Sequence, residues 1–276
     1  MEAKVADGEL GAVGEEARGD VARMPGHWVL ARVGKRVLRP GGLGLTAWML
    51  DGLEIGGEDE VVEFAPGLGV TAKMALGRRP ASYTGVERDA AAAAEVRGML
   101  EDARDRCVVG TAMRTGLDGG SATVVYGEAM LTMHTASQKA SIVREAFRVL
   151  RPGGRYGIHE MCLQPEDLGG EEKAEVMRDL SAAIRVGARP LTRAEWRAVL
   201  EREGFQVREE ATRPMHLLRL RRMIEDEGPL GALRIALNLA RDPAARRRVL
   251  GMRQAFQRHQ HRIGAVAMIA VKPGTA

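Results

Sequence analysis

Four acids, a pair of glycines and two histidines stand where they could do chemistry. The apolar run Val61-Val62-Glu63-Phe64 breaks into Ala65-Pro66-Gly67-Leu68-Gly69 before Val70-Thr71-Ala72 resumes. Gly67 and Gly69 let backbone come close to a ligand, and the N–H groups of a helix starting at Val70 would face it. Glu63 lies four residues ahead of Gly67, placed to meet a positively charged group and to repel a pyrophosphate. Glu87 ends the next run, Ala81 to Val86, 18 residues past Gly69, where a carboxylate accepts hydrogen bonds from ribose hydroxyls. Glu128 closes a third run, and His134 follows it, where a neutral imidazole can remove a proton. A fourth run, Tyr156 to Glu160, ends in His159-Glu160; strand alternation sends these two side chains to opposite faces, and Glu160 is taken as the one that reaches the site.

The elements that must position these residues alternate between strand and helix. Strands are expected at 61–64, 81–87, 106–110, 121–128 and 156–160, with helices from Val70, over 89–105 and over 136–150. The helix ending at Leu150 is stopped by Arg151-Pro152-Gly153-Gly154. Ligands in such sheets bind outside the carboxyl ends of the strands, so the acceptor side of the site draws on Tyr126, Glu128, His134, His159, Glu160 and Cys162.

This order of acid, glycine turn and second acid resembles the class I S-adenosylmethionine-dependent methyltransferases. The string Glu145 to Arg155 around Arg151-Pro152-Gly153-Gly154 is similar to the small-molecule subgroup that includes quinone-biosynthesis C-methyltransferases. The resemblance covers roughly 45–207 and the last strand. It implies an α/β fold: a Rossmann-like, doubly wound, seven-stranded, mostly parallel sheet with an antiparallel last strand. It implies S-adenosyl-L-methionine as cofactor, held by Glu63, Ala65, Pro66, Gly67, Gly69, Glu87, Arg88, Thr111, Ala112, Tyr126 and Gly127, with His134, Glu128 and Glu160 as catalytic candidates and no metal. The methyl group would move to a small-molecule acceptor by direct in-line displacement, so the protein's task is alignment and exclusion of water. Two departures stand out. Thr111-Ala112 occupies the place of the Asp that usually accepts from the adenine amino group, and Ala65 stands where many relatives have Gly, tolerable if its φ is negative.

Two other readings stay open: a nicotinamide-dependent oxidoreductase using Gly67-x-Gly69-x-x-Ala72, which Glu63 argues against, and a non-catalytic binder of S-adenosylmethionine. Cys107 and Cys162 are the only cysteines, too few for a disulfide framework or a zinc site, which fits a reducing cytoplasm. No apolar run reaches bilayer length, and the acidic N-terminus resembles no secretory signal.

Around the core, 1–22 reads as a disordered tail and 23–57 as a helical cap. Its first helix is expected over His27 to Leu38, stopped by Arg39-Pro40-Gly41-Gly42; it either covers the sheet or brings His27 and Trp28 to the substrate. The methyltransferase core takes 58–212 and 263–273. Thr192-Arg193-Ala194-Glu195 is a capping box opening a helix. The remaining segment, 213–262, is a helical insertion before the last strand, with helices expected over 217–240 and 243–261. Twelve arginines there stand against four acids, a net +8 in a chain whose whole net charge is +4. The insertion is a solvated helix pair, a lid or homodimer contact recognising a lipophilic or anionic substrate, or an anionic membrane surface. Nucleic acid is disfavoured, since Phe256 is the one aromatic available for stacking.

Overall fold

Val, Ile and Ala dominate the strands, and a run that is apolar at successive positions suits a sheet covered on both faces. In the computed structural model, which describes residues 20–215 and 220–274, that is what forms. The strands are β1 (Glu60–Phe64), β2 (Ser82–Glu87), β3 (Arg106–Val109), β4 (Ala122–Glu128), β5 (Leu150–Leu163), β6 (Leu191–Thr192), β7 (Gln206–Pro214) and β8 (Ile263–Val271). Their order is β3-β2-β1-β4-β5-β8-β7, with β6 a two-residue addition beside β5. β1 to β5 run parallel, and β8 lies antiparallel between β5 and β7. This is the expected Rossmann-like, doubly wound sheet, mostly parallel with an antiparallel last strand. Strand order reverses at β1, whose neighbours are β2 and β4, and the glycine turn leaves from that switch point.

One face of the sheet is covered by α2 (Gly42–Gly52), α3 (Val70–Leu76) and α4 (Ala90–Arg97), through Leu45, Met49, Leu53, Ala75 and Val96. The other is covered by α5 (Ala136–Val149) and α7 (Arg193–Arg202), through Ile142, Val143, Ala146, Trp196 and Leu200. The Thr192/Glu195 capping box forms as read, and Trp196 is fully buried with Nε1 donating to Met161 O at 2.9 Å. A third apolar cluster lies over the ends of β5 and β8. It joins α1 (Gly26–Arg32), α6 (Gly170–Ile184), α8 (Leu220–Arg241) and α9 (Pro243–Arg258) around Val29, Leu30, Leu180, Ile235 and Met252.

Several boundaries differ from expectation. The first helix ends at Arg32 rather than Leu38, because Gly34 takes φ 97° and the Lys35 N–H bonds back to Leu30 O, closing a glycine helix stop. Residues 35–38 consequently leave the helix and form no regular element. The helix expected over 89–105 stops before Gly98. The long insertion helix is kinked where Gly228 takes φ 73° ahead of Pro229, and its expected start at Leu217 lies outside the described residues. Of the expected tail, residues 1–19 also lie outside them, while Val21 is buried against α1.

Candidate active site

Three acids lie at the ends of three adjacent strands, β2, β1 and β4; Glu63 and Glu87 are buried and the Glu128 side chain is 6% exposed. At the end of β1 the chain turns sharply. Gly67 and Gly69 have φ 55° and 70°, and Gly69 N–H donates to Pro66 O at 2.9 Å. Ala65 also has positive φ, 55°, where the sequence reading required a negative one. An L-residue with a Cβ pays about 1 kcal/mol or more to sit there. The fold tolerates it because Ala65 N–H is tied to Val86 O at 2.9 Å in the β1–β2 ladder. Ala65→Gly is therefore expected to stabilise the protein by about 1 kcal/mol, read as a higher midpoint in urea at unchanged slope.

Glu87 faces this turn. Its Oε2 accepts from Gly67 N–H at 3.1 Å and its Oε1 from Asp89 N–H at 3.0 Å. Glu63 is held from the sheet side: the hydroxyls of Tyr83 and Tyr126 both donate to its Oε2, at 2.5 and 2.9 Å. Tyr126 is thus a fully buried support under Glu63, not a wall of the site as the sequence suggested. Burial pushes the Glu63 carboxyl up to about 7 against the two phenol hydrogen bonds, which lower it. A carboxyl that keeps its proton in the folded state to about 7, but loses it near its ordinary value in the unfolded chain, makes stability fall as pH rises between those values. The span amounts to roughly 3 kcal/mol, and Glu63→Gln is expected to flatten that part of the stability profile in urea melts at pH 5 and 7.5.

Glu128 has the densest surroundings. Its Oε1 accepts from the Thr46 hydroxyl at 2.6 Å and from His159 Nδ1 at 2.7 Å. Its Oε2 meets the Thr71 hydroxyl and, at 3.1 Å, Arg39 Nε. Gly41 N–H donates to His159 Nε2 at 2.9 Å, so Nε2 carries the lone pair and Nδ1 the proton given to Glu128. Burial alone would raise the Glu128 carboxyl; Arg39, His159 and Thr46 hold it down at about 2. A carboxylate so low and so fully engaged is a poor base, which removes Glu128 from the proton-accepting role and leaves it as an anchor.

The alternation along β5 separates His159 from Glu160 as expected, but the assignment is reversed. His159 joins Glu128, while Glu160 faces away. Its carboxylate accepts from the N–H groups of Met130, Leu131 and Thr132 and from the Thr132 hydroxyl, all within 3.0 Å. Glu160 is a positioning residue: it caps the short 3-10 turn Leu131–Met133 that carries the chain from β4 to His134. Thr135 and Gln138 then form a capping box that starts α5. His134 Nδ1 lies 2.8 Å from Met130 O, so that nitrogen donates and Nε2 is the acceptor. Burial lowers its pKa, and the charges of Arg88, Lys139 and Arg189 lower it further, keeping the ring neutral and able to take a proton.

At the end of β3, Thr111 Oγ1 accepts from Met113 N–H at 3.3 Å and Ala112 is buried. Gly127 packs its backbone against Phe64, and Arg88 is exposed at the end of β2. Burial lowers His27 to about 4, with Arg88 pushing the same way, while Trp28 packs into the cap cluster. Cys162 is buried and its thiol is pushed up to about 12, far from a nucleophile. One residue of this site escaped the sequence reading, Arg39, while His159, a candidate there, was passed over in favour of Glu160. Arg39 lies in a segment that looked like a simple helix stop, yet it is 8% exposed and its Nη1 is buried with no hydrogen-bond partner.

A family model described as a methyltransferase domain matches residues 62–158, the span from β1 to β5 that carries all three acids. The chain carries a methyltransferase domain. A Haemophilus influenzae protein, itself uncharacterized, is 30% identical over 251 residues, 90% of this chain and 98% of its own length. Among solved structures, the [4+2]-cyclase SpnF has a TM-score of 0.69 at 15% identity, over 95% of this chain and 96% of that one. The phosphoethanolamine N-methyltransferase 2 of Haemonchus contortus, in complex with phosphomonomethylethanolamine and S-adenosylhomocysteine, has 0.67 at 16%, over 89% and 57%. Geranyl diphosphate C-methyltransferase of Streptomyces coelicolor, with Mg2+, geranyl diphosphate and S-adenosylhomocysteine, has 0.57 at 18%, over 83% and 77%. These likenesses are of fold.

The methyltransferase domain uses S-adenosylmethionine, and the residues present suit it. A Cβ built on Gly67 would meet only Ala65 O, at 3.9 Å, so the turn leaves room for a ligand against its backbone. Three acids and no lysine stand at these strand ends, a lining that suits a cationic sulfonium amino acid and opposes a pyrophosphate. The unpartnered Arg39 Nη1 supplies the one donor such an amino acid's carboxylate needs. Among the described residues no helix is long and apolar enough to cross a membrane.

Proposed function

We propose that this methyltransferase moves a methyl group from S-adenosylmethionine to a small-molecule acceptor by direct in-line displacement, without a covalent enzyme intermediate. The observation that carries this reading is Glu87 bonded to the Gly67 N–H of the glycine turn, with Glu63 and Glu128 near the ends of the two neighbouring strands and Arg39, its Nη1 unpartnered, paired to Glu128. When bound, the cofactor supplies an already electrophilic methyl group. The chain's residues then divide the work. Glu87 accepts from the ribose diol, Gly67 and Gly69 present backbone, and the Thr111-Ala112 segment borders the adenine. Glu63 receives the amino group, and Arg39, anchored by Glu128, receives the carboxylate.

His134 is the group we assign to the acceptor's proton. Its Nδ1–H is fixed on Met130 O, which leaves Nε2 as the acceptor atom, and its lowered pKa keeps it neutral near pH 7. Glu128 and Glu160, both engaged by several donors, hold the elements around it and do not exchange protons. The subgroup around quinone-biosynthesis C-methyltransferases fits the Arg151-Pro152-Gly153-Gly154 turn, which here ties β5 to the C-terminus through Gly153 N–H to Lys272 O at 2.9 Å. A lipophilic acceptor is the corresponding substrate class.

The test is turnover. Purified protein with methyl-labelled S-adenosylmethionine and a panel of lipophilic phenols, quinols and amines is expected to transfer label and release S-adenosylhomocysteine. His134→Ala should lose transfer to acceptors that must give up a proton while keeping cofactor affinity. Tight cofactor binding with no transfer to any member of the panel would sink the catalytic reading.

A further inference from the structure

The arginine-rich insertion is not absorbed by the active site. Beyond the kink at Gly228, α8 buries Ala232 and turns Ile235 into the cap cluster. Its other side is apolar as well: Leu230, Leu233 and Leu237, at positions i, i+3 and i+7, are 81%, 56% and 47% exposed. One residue further along the chain, α9 repeats the pattern. Met252 and Phe256 are buried, and Leu250 is 48% exposed. The helices have therefore filled their core face and still present four leucines to solvent, which a solvated helix pair has no reason to do.

These leucines are interleaved with arginine. Arg234 and Arg241 follow Leu230 and Leu237 by four residues, and Arg246, Arg247 and Arg253 surround Leu250 at three or four residues, the spacing that makes neighbours on a helix surface. All five are exposed. Among the described residues no carboxylate pairs with Arg241, Arg246, Arg247 or Arg253. From 229 to 258 seven arginines stand against one aspartate, a net +6. That aspartate, Asp242, is spent capping α9 and pairing with Arg32. Exposed leucines among unpaired arginines are the composition of helices that lie in the interface of an anionic bilayer.

A second copy of the chain would bury the same leucines, but a two-fold contact would set this face's arginines against themselves. Nucleic acid would meet no exposed aromatic on this face, since Phe256 is buried. We infer that the outer face of α8 and α9 docks on an anionic phospholipid surface, the leucines entering the headgroup boundary and the arginines pairing with lipid phosphates. The inner edge of α8 supports a consequence that does rest on the proposed function. Arg234 and Asn238 border a groove whose other wall is Leu68, from the glycine turn, with Glu95 and Met99. Docking would place that groove beside the bilayer, where a lipophilic acceptor resides.

Co-sedimentation with vesicles tests the docking without any need for methyl transfer, so its failure is separate from failure of the catalytic reading. The full chain is expected to bind vesicles of phosphatidylcholine with one quarter phosphatidylglycerol, weakening with salt, and to bind pure phosphatidylcholine at least about tenfold less. Each basic group near such a surface is worth roughly a factor of five, so Arg246→Ala with Arg247→Ala should weaken binding about 25-fold. Leu230→Glu with Leu237→Glu should abolish it. Both pairs are exposed, and unchanged thermal melting and cofactor affinity serve as the folding control. No binding of the anionic vesicles, or binding that survives the leucine changes, would overturn the inference. So would a stable dimer in sedimentation equilibrium that Leu230→Glu dissociates, or tighter binding to a DNA duplex than to the vesicles.

Discussion

Replacing Glu87 by alanine is expected to weaken S-adenosylmethionine and S-adenosylhomocysteine equally, by roughly 100-fold, in a calorimetric titration. A carboxylate has about four acceptor positions, and the structure uses two of Glu87's, for Gly67 N–H and Asp89 N–H. The remaining two match a vicinal diol. Hydrogen bonds to a charged acceptor contribute about 1.5–3 kcal/mol each, and because both cofactor forms carry the same ribose, the loss should not discriminate between them. Glu87→Gln keeps one acceptor oxygen and should lose about tenfold. Part of the alanine effect passes through the turn itself, since Gly67 N–H loses its partner. A Gln variant as weak as the Ala variant would show that the carboxylate acts by shaping the turn rather than by meeting the ligand. Unchanged affinity in both would remove Glu87 from the cofactor site.

The parts of this site that the sequence made legible are those that local chemistry decides. The acids ending β1, β2 and β4 stand out because each interrupts an apolar run, and the turn between β1 and α3 stands out by its glycines. Thr192 and Glu195 declare a helix start by their spacing, and the last strand, Ile263–Val271, falls within the 263–273 assigned to the core. What stayed hidden depends on contacts between segments far apart in the chain. Strand alternation says that His159 and Glu160 part company, but not which face holds the site; that is decided by Gly41 and Thr46, more than 110 residues away in sequence. The support of Glu63 by Tyr83 and Tyr126 comes from strands on either side of β1. The backbone of Ala65 was misjudged for a related reason: its side chain gives no sign of positive φ, which the ladder to Val86 imposes.

Arg39 is the sharpest case of a residue whose role comes only from tertiary structure, and its removal should have the largest effect on the fold. It emerges from the irregular segment 35–38, which the insertion clamps: Glu227 accepts the N–H groups of Arg36 and Val37 at 2.8 Å, and Asp226 accepts that of Leu43 at 3.3 Å. Lys35 is buried between the two acids, 3.7 Å from Asp226 and 3.6 Å from Glu227, and Arg222 donates to Gly41 O. The insertion thereby fixes the segment that delivers Arg39 to Glu128. Arg39→Met leaves Glu128 buried without its cation, and breaking a buried pair from one side costs about 3–5 kcal/mol. That is a large share of a total near 5–15 kcal/mol.

Glu128→Gln in the same background should restore much of the loss, because it removes the uncompensated charge, so the double-mutant cycle is expected to show strong coupling. The pH dependence has a definite sign. Arg39 and His159 hold the Glu128 carboxyl down at about 2, so its contribution is complete above the ordinary carboxylate value and is lost as pH falls through about 2. Glu128→Gln removes that acid loss. Cofactor binding separates anchoring from contact: Arg39→Lys keeps the charge against Glu128 but loses the fork that frees Nη1, so stability should fall little while S-adenosylmethionine affinity drops about tenfold. Equal affinity in the lysine variant would reduce Arg39 to a structural partner of Glu128. Additive, uncoupled effects in the cycle would remove the buried pair as the link between the cap and the strand ends.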